Sequence, residues 1–139
     1  MEYRRFNDKI VLRLDRDDEI VESIKAVAAK ENVRLAYVSG IGGTDKVSIG
    51  VFNMDKKAYD NYEITGTHEI TSLVGNINTL NGEIYTHLHI NLAGEGGKIV
   101  GGHLFSCVIC LTAEIFITVI DGTVDRKKDE ELQINKFAF

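Results

Sequence analysis

Proline is absent from the 139 residues of this sequence. Its absence excludes proline-dependent linkers, polyproline ligands, and a minor-groove arm built around an Arg-Gly-Arg-Pro core. Cysteine is also scarce: two residues are too few for a disulfide scaffold in a chain of this length. We therefore expect a protein of the reducing cytoplasm.

An excess of basic residues is lacking too, since 16 Lys and Arg face 21 Asp and Glu, for a net charge of −5 at pH 7. Binding to nucleic acid or to an anionic membrane relies on positive charge, so neither partner is expected from the charge. Residues Met1–Arg5 lead into a charged, alternating segment, and no secretory signal is expected. The apolar run from Leu104 to Ile120 is interrupted by Glu114 and is marginal in length for a bilayer, which favours buried strands.

The chain is typical of one globular domain spanning residues 1–139, with 44% hydrophobic and 27% charged residues. Its first part predicts a strand over Lys9 to Leu14, followed by a helix near Ile20 to Lys30. Asp15 to Asp18 are expected to supply the N-cap, and Asn32 a left-handed C-cap. The helix is amphipathic because its apolar residues recur at helical spacing: Ile20, Val21, Ile24, Val27 and Ala28.

The middle of the chain predicts further strands joined by turns. A strand from Arg34 to Ser39 is expected to end in a turn of positive φ at Gly40–Gly43. Asn53 to Asp60 predicts a hairpin connection, and residues 61–79 predict two strands broken near Gly66. His68 beside that break is interpreted as a surface or packing residue, outside any site.

Three of the four histidines lie between Asn81 and Leu104. Residues Glu83 to Leu92 alternate as a strand, which puts His87 and His89 on one face. If the loop Ala93–Gly97 closes a hairpin, His87 lies opposite His103, and His89 lies opposite Gly101. Three imidazoles then converge, as in a three-histidine metal site with an open coordination position. The competing interpretation is that they are polar strand residues on a solvated face.

Asn81-Gly82 predicts a two-residue turn before this strand. Its register sets Asn76 opposite His87 and Asn78 opposite Tyr85. The two amides are then placed to orient the imidazole rings by hydrogen bonds. The simpler interpretation is that asparagine favours turns and strand ends.

Glu114 is unusual because a carboxylate within an apolar strand is costly unless it is paired. It is interpreted as a general acid or base, a partner of the metal or of a histidine, or one end of an interface ion pair. Structural pairing is favoured. Cys107 and Cys110 point to opposite faces of a strand and are predicted to be buried core residues. The charged run Asp125 to Glu131 predicts a solvated loop or short helix, with a last strand over Leu132 to Phe139.

These motifs together resemble the PPC domain, the plant and prokaryote conserved domain, over nearly the whole chain. The residues that carry the resemblance are His87-Leu-His89, Gly101-Gly102-His103-Leu104, Thr112-Ala113-Glu114-Ile115, Ser39-Gly40-Ile41-Gly42 and Gly75-Asn76. The resemblance implies an α+β fold with a mostly antiparallel sheet and flanking helices, assembled as a homotrimer. It also implies a zinc site at His87, His89 and His103, with other divalent transition metals as alternatives. The family's fold is similar to acetolactate decarboxylase, which uses a three-histidine zinc.

Three functions are consistent with this resemblance. The first is a small homotrimeric protein whose zinc is structural or serves an unassigned reaction, with water or a small anion at the open position. The second is a zinc-dependent lyase or hydrolase acting on a small carbonyl substrate, with Glu114 as acid or base. The third is a DNA-associated regulator, although the chain lacks the AT-hook that plant members carry beside this domain.

Overall fold

The computed structural model describes all residues, 1–139, as a mostly antiparallel β structure with one helix. This confirms the antiparallel architecture, whereas the expectation of several flanking helices is wrong. A short 3₁₀ turn spans Glu95–Gly97. In chain order the elements are β1 Glu2–Phe6, β2 Lys9–Leu14, α1 Ile20–Lys30, β3 Ala36–Asn53, β4 Ala58–Leu80, β5 Glu83–Ala93, β6 Ile99–Val119, β7 Asp125–Asp129 and β8 Ile134–Ala138.

Six strands form one sheet in the order β1-β2-β6-β3-β4-β5, and β5 also pairs with β6. Strands β3, β4, β5 and β6 therefore form a closed circuit of hydrogen-bonded neighbours, and the sheet must curve strongly to close it. The closure brings β5 against the first residues of β6, where His103 lies. The remaining two strands, β7 and β8, form a separate hairpin at the end of the chain.

The core lies on one face of this sheet, beneath α1. The helix buries Ile20, Ile24 and Val27 against strand residues such as Leu88 and Ile90. Its predicted bounds are confirmed, but its N-cap is Glu19, whose side chain accepts from the amide of Glu22, rather than any of Asp15–Asp18. No helix is long and apolar enough to cross a membrane.

The predicted turn at Gly40–Gly43 is wrong, because β3 runs through these glycines without positive φ. They are required instead by close packing against β6: a Cβ on Gly42 would lie 2.6 Å from the carbonyl oxygen of Thr112. The predicted break near Gly66 is only a local irregularity, where the pairing of β4 with β3 shifts register between Thr65 and His68. Gly66 has a φ of 88° but lies inside the continuous strand β4.

Candidate metal centre

The three predicted histidines lie together on the face of the sheet opposite the core. His87 and His89 project from β5 beside the buried Leu88 and Ile90, and His103 projects from β6. The ring centroids are 5.2 Å apart for His87 and His89, 5.1 Å for His87 and His103, and 5.5 Å for His89 and His103. One nitrogen from each ring lies within 4.8 Å of the other two.

The convergence arises from a register that differs from the predicted one. His89, not His87, lies opposite His103, and Asn91 takes the place opposite Gly101 that was predicted for His89. The loop is Gly94–Lys98, one residue later than expected, so the hairpin begins with the pair Ala93 and Ile99. A relative shift of two residues keeps every side chain on its original face, which is why the cluster forms in either register.

The turn at Asn81-Gly82 has the predicted register, with Asn76 opposite His87 and Asn78 opposite Tyr85. This turn fixes β4 and β5 against each other beneath the histidines. A glycine is needed one residue before Asn76, because a Cβ on Gly75 would overlap the carbonyl oxygen of His87. The close approach of β4 to β5 therefore holds the backbone that carries His87.

The spacing of two of the rings suits a tetrahedral zinc ion. Nε2 of His87 and Nε2 of His89 are 3.3 Å apart. Two nitrogens that each lie 2.0–2.1 Å from zinc in a tetrahedron are separated by about 3.3–3.4 Å. The nitrogens of all three rings lie within 4.8 Å of one another, which is a wider spacing than a tetrahedral zinc ion requires. An ion shared by all three rings would draw them together by on the order of 1 Å.

His103 has a buried ring nitrogen with no partner. Its Nδ1 makes no hydrogen bond in the protein. An unsatisfied buried polar atom costs about 1–3 kcal/mol, and a ligand that occupied its lone pair would remove that cost. Burial lowers the pKa of His103 to about 4 and also lowers the pKa of His87. Both rings are therefore neutral at pH 7, the protonation state in which imidazole binds a metal.

Arg126 is the functional residue that sequence reasoning missed. The run Asp125 to Glu131 was predicted to be a solvated loop or short helix, but Asp125–Asp129 form β7 of the terminal hairpin. Arg126 is only 7% exposed. Its Nη2 donates to Nδ1 of His87 over 3.3 Å, so a positive charge directly contacts the histidine cluster.

The two asparagines bind Arg126 instead of the imidazole rings. Nε of Arg126 donates to Oδ1 of Asn78, and Nη2 donates to Oδ1 of Asn76. Nη1 donates to the carbonyl oxygen of Asn135 in β8. Asn76, which is half-buried, and Asn78, which is buried, thus act on His87 through the guanidinium group, which satisfies their side-chain oxygens.

This contact determines where the proton of His87 lies. A guanidinium group only donates hydrogen bonds, so Nδ1 of His87 accepts and the neutral ring carries its proton on Nε2. That nitrogen faces Nε2 of His89. Coordination of a metal through Nε2 of His87 would move the proton to Nδ1, where it would face the donor of Arg126. Metal binding and the Arg126–His87 hydrogen bond are therefore in competition.

A cavity of about 210 Å³ opens beside the cluster. His87, His103 and Arg126 line it together with Tyr59 and Phe105, whose rings pack against His103 at centroid distances of 4.9 and 5.1 Å. Burial raises the pKa of Tyr59, so its hydroxyl stays protonated and can donate a hydrogen bond. The cavity gives a small molecule access to His87 and His103.

The other candidate residues lie elsewhere. Glu114 is exposed, not buried as predicted, and lies near the end of β6 in cavities lined by Ile41 and Phe116 that contain none of the three histidines. Cys107 is buried as predicted, whereas Cys110 is partly exposed. His68 is separate from the cluster, with its Nδ1 at 2.6 Å from the carbonyl oxygen of Gly66.

Several solved structures are similar to this chain. A candidate DNA-binding protein from Bacteroides thetaiotaomicron has a TM-score of 0.96 and 26% identity, over 99% of this chain and 96% of that one. A metal-containing protein from Archaeoglobus fulgidus has a TM-score of 0.89 and 29% identity, over 99% and 97%. A plant- and prokaryote-conserved protein from Pyrococcus horikoshii has a TM-score of 0.88 and 29% identity, over 99% and 94%. No curated protein sequence matches the chain.

The match to a protein family agrees with these structures and confirms the resemblance predicted from the histidine and glycine motifs. The family is described as the Plants and Prokaryotes Conserved (PCC) domain, and it matches residues 1–121. Since this is most of the 139 residues, the chain belongs to the PCC domain family.

Proposed function

We propose that the protein is a metal-binding member of this family, with zinc held by His87, His89 and His103 and one coordination position open. The observation that carries the proposal is the 3.3 Å separation of the His87 and His89 Nε2 atoms, together with the approach of one nitrogen from each of the three rings to within 4.8 Å of the others. The similarity to a metal-containing protein from Archaeoglobus fulgidus supports it. Three neutral imidazoles suit zinc, although other divalent transition metals accept the same ligands.

Zinc in such a site supplies a Lewis acid or an activated water at its open position. The alternative function is therefore a lyase or hydrolase acting on a small carbonyl substrate, with Glu114 as acid or base. Within one chain, the cavities that Glu114 lines contain none of the three histidines. This alternative consequently requires that assembly of several chains bring a Glu114 to the site, and we rank it second.

We also propose a homotrimer. The outer face of the sheet presents large apolar side chains that nothing covers in the single chain, and a contiguous apolar surface of this kind marks an interaction site. Glu114 lies among them, where it would be one end of an interface ion pair. The exposed apolar residues of this face are Tyr37, Ile41, Val74, Leu111 and Phe116.

A DNA-associated role is the third candidate. It is supported by the similarity to a candidate DNA-binding protein from Bacteroides thetaiotaomicron. The net charge of −5 opposes it, because duplex binding depends on neutralising phosphates with Lys and Arg. We propose that any binding to DNA is weak.

Metal analysis of protein purified without added metal tests the proposal. We expect about one zinc per chain in the wild type and none in His103→Ala, whose sheet still folds because the histidine lies on the outer face. His68→Ala is the matched control, since it also removes one imidazole but lies outside the cluster. Full zinc content in His103→Ala, or no zinc in the wild type after incubation with the metal, would contradict the proposal.

A further inference from the structure

Arg126 is buried without a compensating negative charge. It is 7% exposed, and its hydrogen-bond acceptors are the neutral amide oxygens of Asn76 and Asn78, the carbonyl oxygen of Asn135, and Nδ1 of His87. Its guanidinium carbon also lies 4.9 Å from the ring centroid of Tyr85. Buried charges in proteins are normally paired with an opposite charge. Here no carboxylate contacts the guanidinium group.

A purely structural role does not account for the charge. Its hydrogen bonds attach the β7–β8 hairpin to Asn76 and Asn78 of β4 and to His87 of β5, but neutral amide side chains could make such bonds at a lower desolvation cost. The charge also lies next to three histidines, where it repels any metal cation. The rings of Tyr85 and Phe137, at 4.9 and 4.5 Å from the guanidinium carbon, offset part of the cost of this buried charge, and an anion bound nearby would offset more of it.

The cavity beside Arg126 is suited to such an anion. None of its nine lining residues is acidic, and both Arg126 and His103 contribute to it. The donors that line it include the hydroxyls of Tyr59 and Tyr85, and the one N–H on Nη1 of Arg126 left over after four of the five guanidinium hydrogens are used.

The size and walls of the cavity define the class of anion. Its volume of about 210 Å³ lies below the roughly 300–1,000 Å³ of pockets that enclose a drug-sized ligand, which favours a ligand smaller than a nucleotide or a peptide. The side chains of Phe105 and Ile134 supply apolar wall, which suits a short carbon skeleton and contributes nothing to inorganic phosphate.

We propose that this cavity binds a small organic carboxylate next to the metal and that Arg126 selects for its negative charge. The inference rests on the proposed metal site, because a zinc ion adds two further positive charges that the same anion would offset. Arg126 lies outside residues 1–121, the part matched by the family. The anion preference is thus a property of this chain's terminal hairpin.

Calorimetric titration of the zinc-loaded protein tests the inference, with propionate and propionamide as probes of equal size that differ in charge. We expect propionate to bind at least tenfold more tightly than propionamide, and more tightly than inorganic phosphate. Arg126→Met is expected to lose at least fivefold in propionate affinity without a change for propionamide. Arg4→Met is the matched control, because it removes the same charge from an exposed arginine on the edge strand β1.

Zinc content, measured on the same samples, separates this inference from the metal proposal. If the wild type holds no zinc, the metal proposal fails. If zinc is present but propionate and propionamide bind equally, or phosphate binds better than propionate, only the carboxylate inference fails. Unchanged propionate affinity in folded Arg126→Met would also overturn it. If Arg126→Met does not fold, the test rests on Arg126→Lys and on the relative affinities of the wild type for propionate and propionamide. Arg126→Lys retains the positive charge, so we expect it to retain the preference for propionate, and loss of that preference in the folded variant would contradict the inference.

Discussion

Replacing Arg126 with glutamine is expected to tighten zinc binding, although the side chain contacts a proposed ligand. The guanidinium donates to Nδ1 of His87 and so keeps the proton of that ring on Nε2, the nitrogen nearest His89. A bound metal needs the lone pair of Nε2 and a proton on Nδ1. Glutamine offers a carbonyl oxygen that can accept this proton, which is the usual arrangement of a metal-bound histidine.

Removing the positive charge of Arg126 is also expected to tighten zinc binding, because that charge repels the metal ion. A single positive charge at roughly 7 Å from a divalent ion costs about 1 kcal/mol at the dielectric constant of water and about 5 kcal/mol at an effective dielectric constant of 20. His89 is exposed, so the lower figure is the safer guide for this site. A gain of about 1.4 kcal/mol corresponds to tenfold tighter binding. We therefore expect the zinc dissociation constant of Arg126→Gln to fall roughly tenfold.

Competition with a chromophoric chelator at fixed pH and ionic strength measures this dissociation constant. Arg4→Gln provides the control for net charge and is expected to leave it unchanged. Circular dichroism must accompany the titration, because the loss of hydrogen bonds between Arg126 and Asn76, Asn78 and Asn135 destabilises the terminal hairpin by about 1–3 kcal/mol. A folded Arg126→Gln that binds zinc tenfold more weakly would refute the reasoning and make Arg126 a positioning residue for His87.

Three further predictions concern stability, assembly and nucleic acid. The metal-free protein is expected to lose stability as the pH falls from about 6.5 to about 4, because burial lowers the pKa of His103 to about 4 and the unfolded chain binds this proton first. The loss is at most about 3 kcal/mol in denaturant titrations and is smaller in His103→Ala. Leu111→Glu, on the exposed apolar face, is expected to convert a trimer into monomers in sedimentation equilibrium; a monomeric wild type at micromolar concentration would contradict the trimer. Gel-shift titration is expected to show no submicromolar, salt-sensitive binding to duplex DNA.

Local patterns were sufficient to predict the helix and the face on which the histidines lie. The helical spacing of Ile20, Ile24 and Val27 gave the bounds of α1, and the alternation of β5 put His87 and His89 on one side. These features depend only on residues close in sequence. The position of the loop after β5 was predicted one residue too early. Gly96 and Gly97 both adopt positive φ, and a glycine-rich loop of this kind can form its turn at more than one position along the chain. The predicted histidine cluster is still found, because the observed β5–β6 register differs from the predicted one by two residues, and a shift of two leaves each side chain on the same face.

Contacts between distant residues were not predictable in the same way. Gly42 fits both a turn and a strand by sequence, and only the packing of β3 against Thr112 of β6 decides between them. Glu114 was predicted to be buried because its neighbours in sequence are apolar, but those neighbours alternate. Ile115 and Ile117 point into the core, while Glu114 shares the outer face with Phe116.

Arg126 was missed for two reasons: the sequence around it is misleading, and its contacts are with residues far away in the chain. It lies in a run of charged residues, which favours a solvated segment, and its partners His87, Asn78 and Asn76 precede it by 39, 48 and 50 residues. No local pattern indicates that such a residue is buried. Yet without it the cluster would be three imidazoles alone, equally suited to a structural metal and to a catalytic one. With it, a metal bound at the proposed site, the proton on His87 and an anion bound in the cavity would all depend on one another, because a change in any of them would alter the charge that Arg126 faces. This coupling favours a site that exchanges ligands over one that only stabilises the fold.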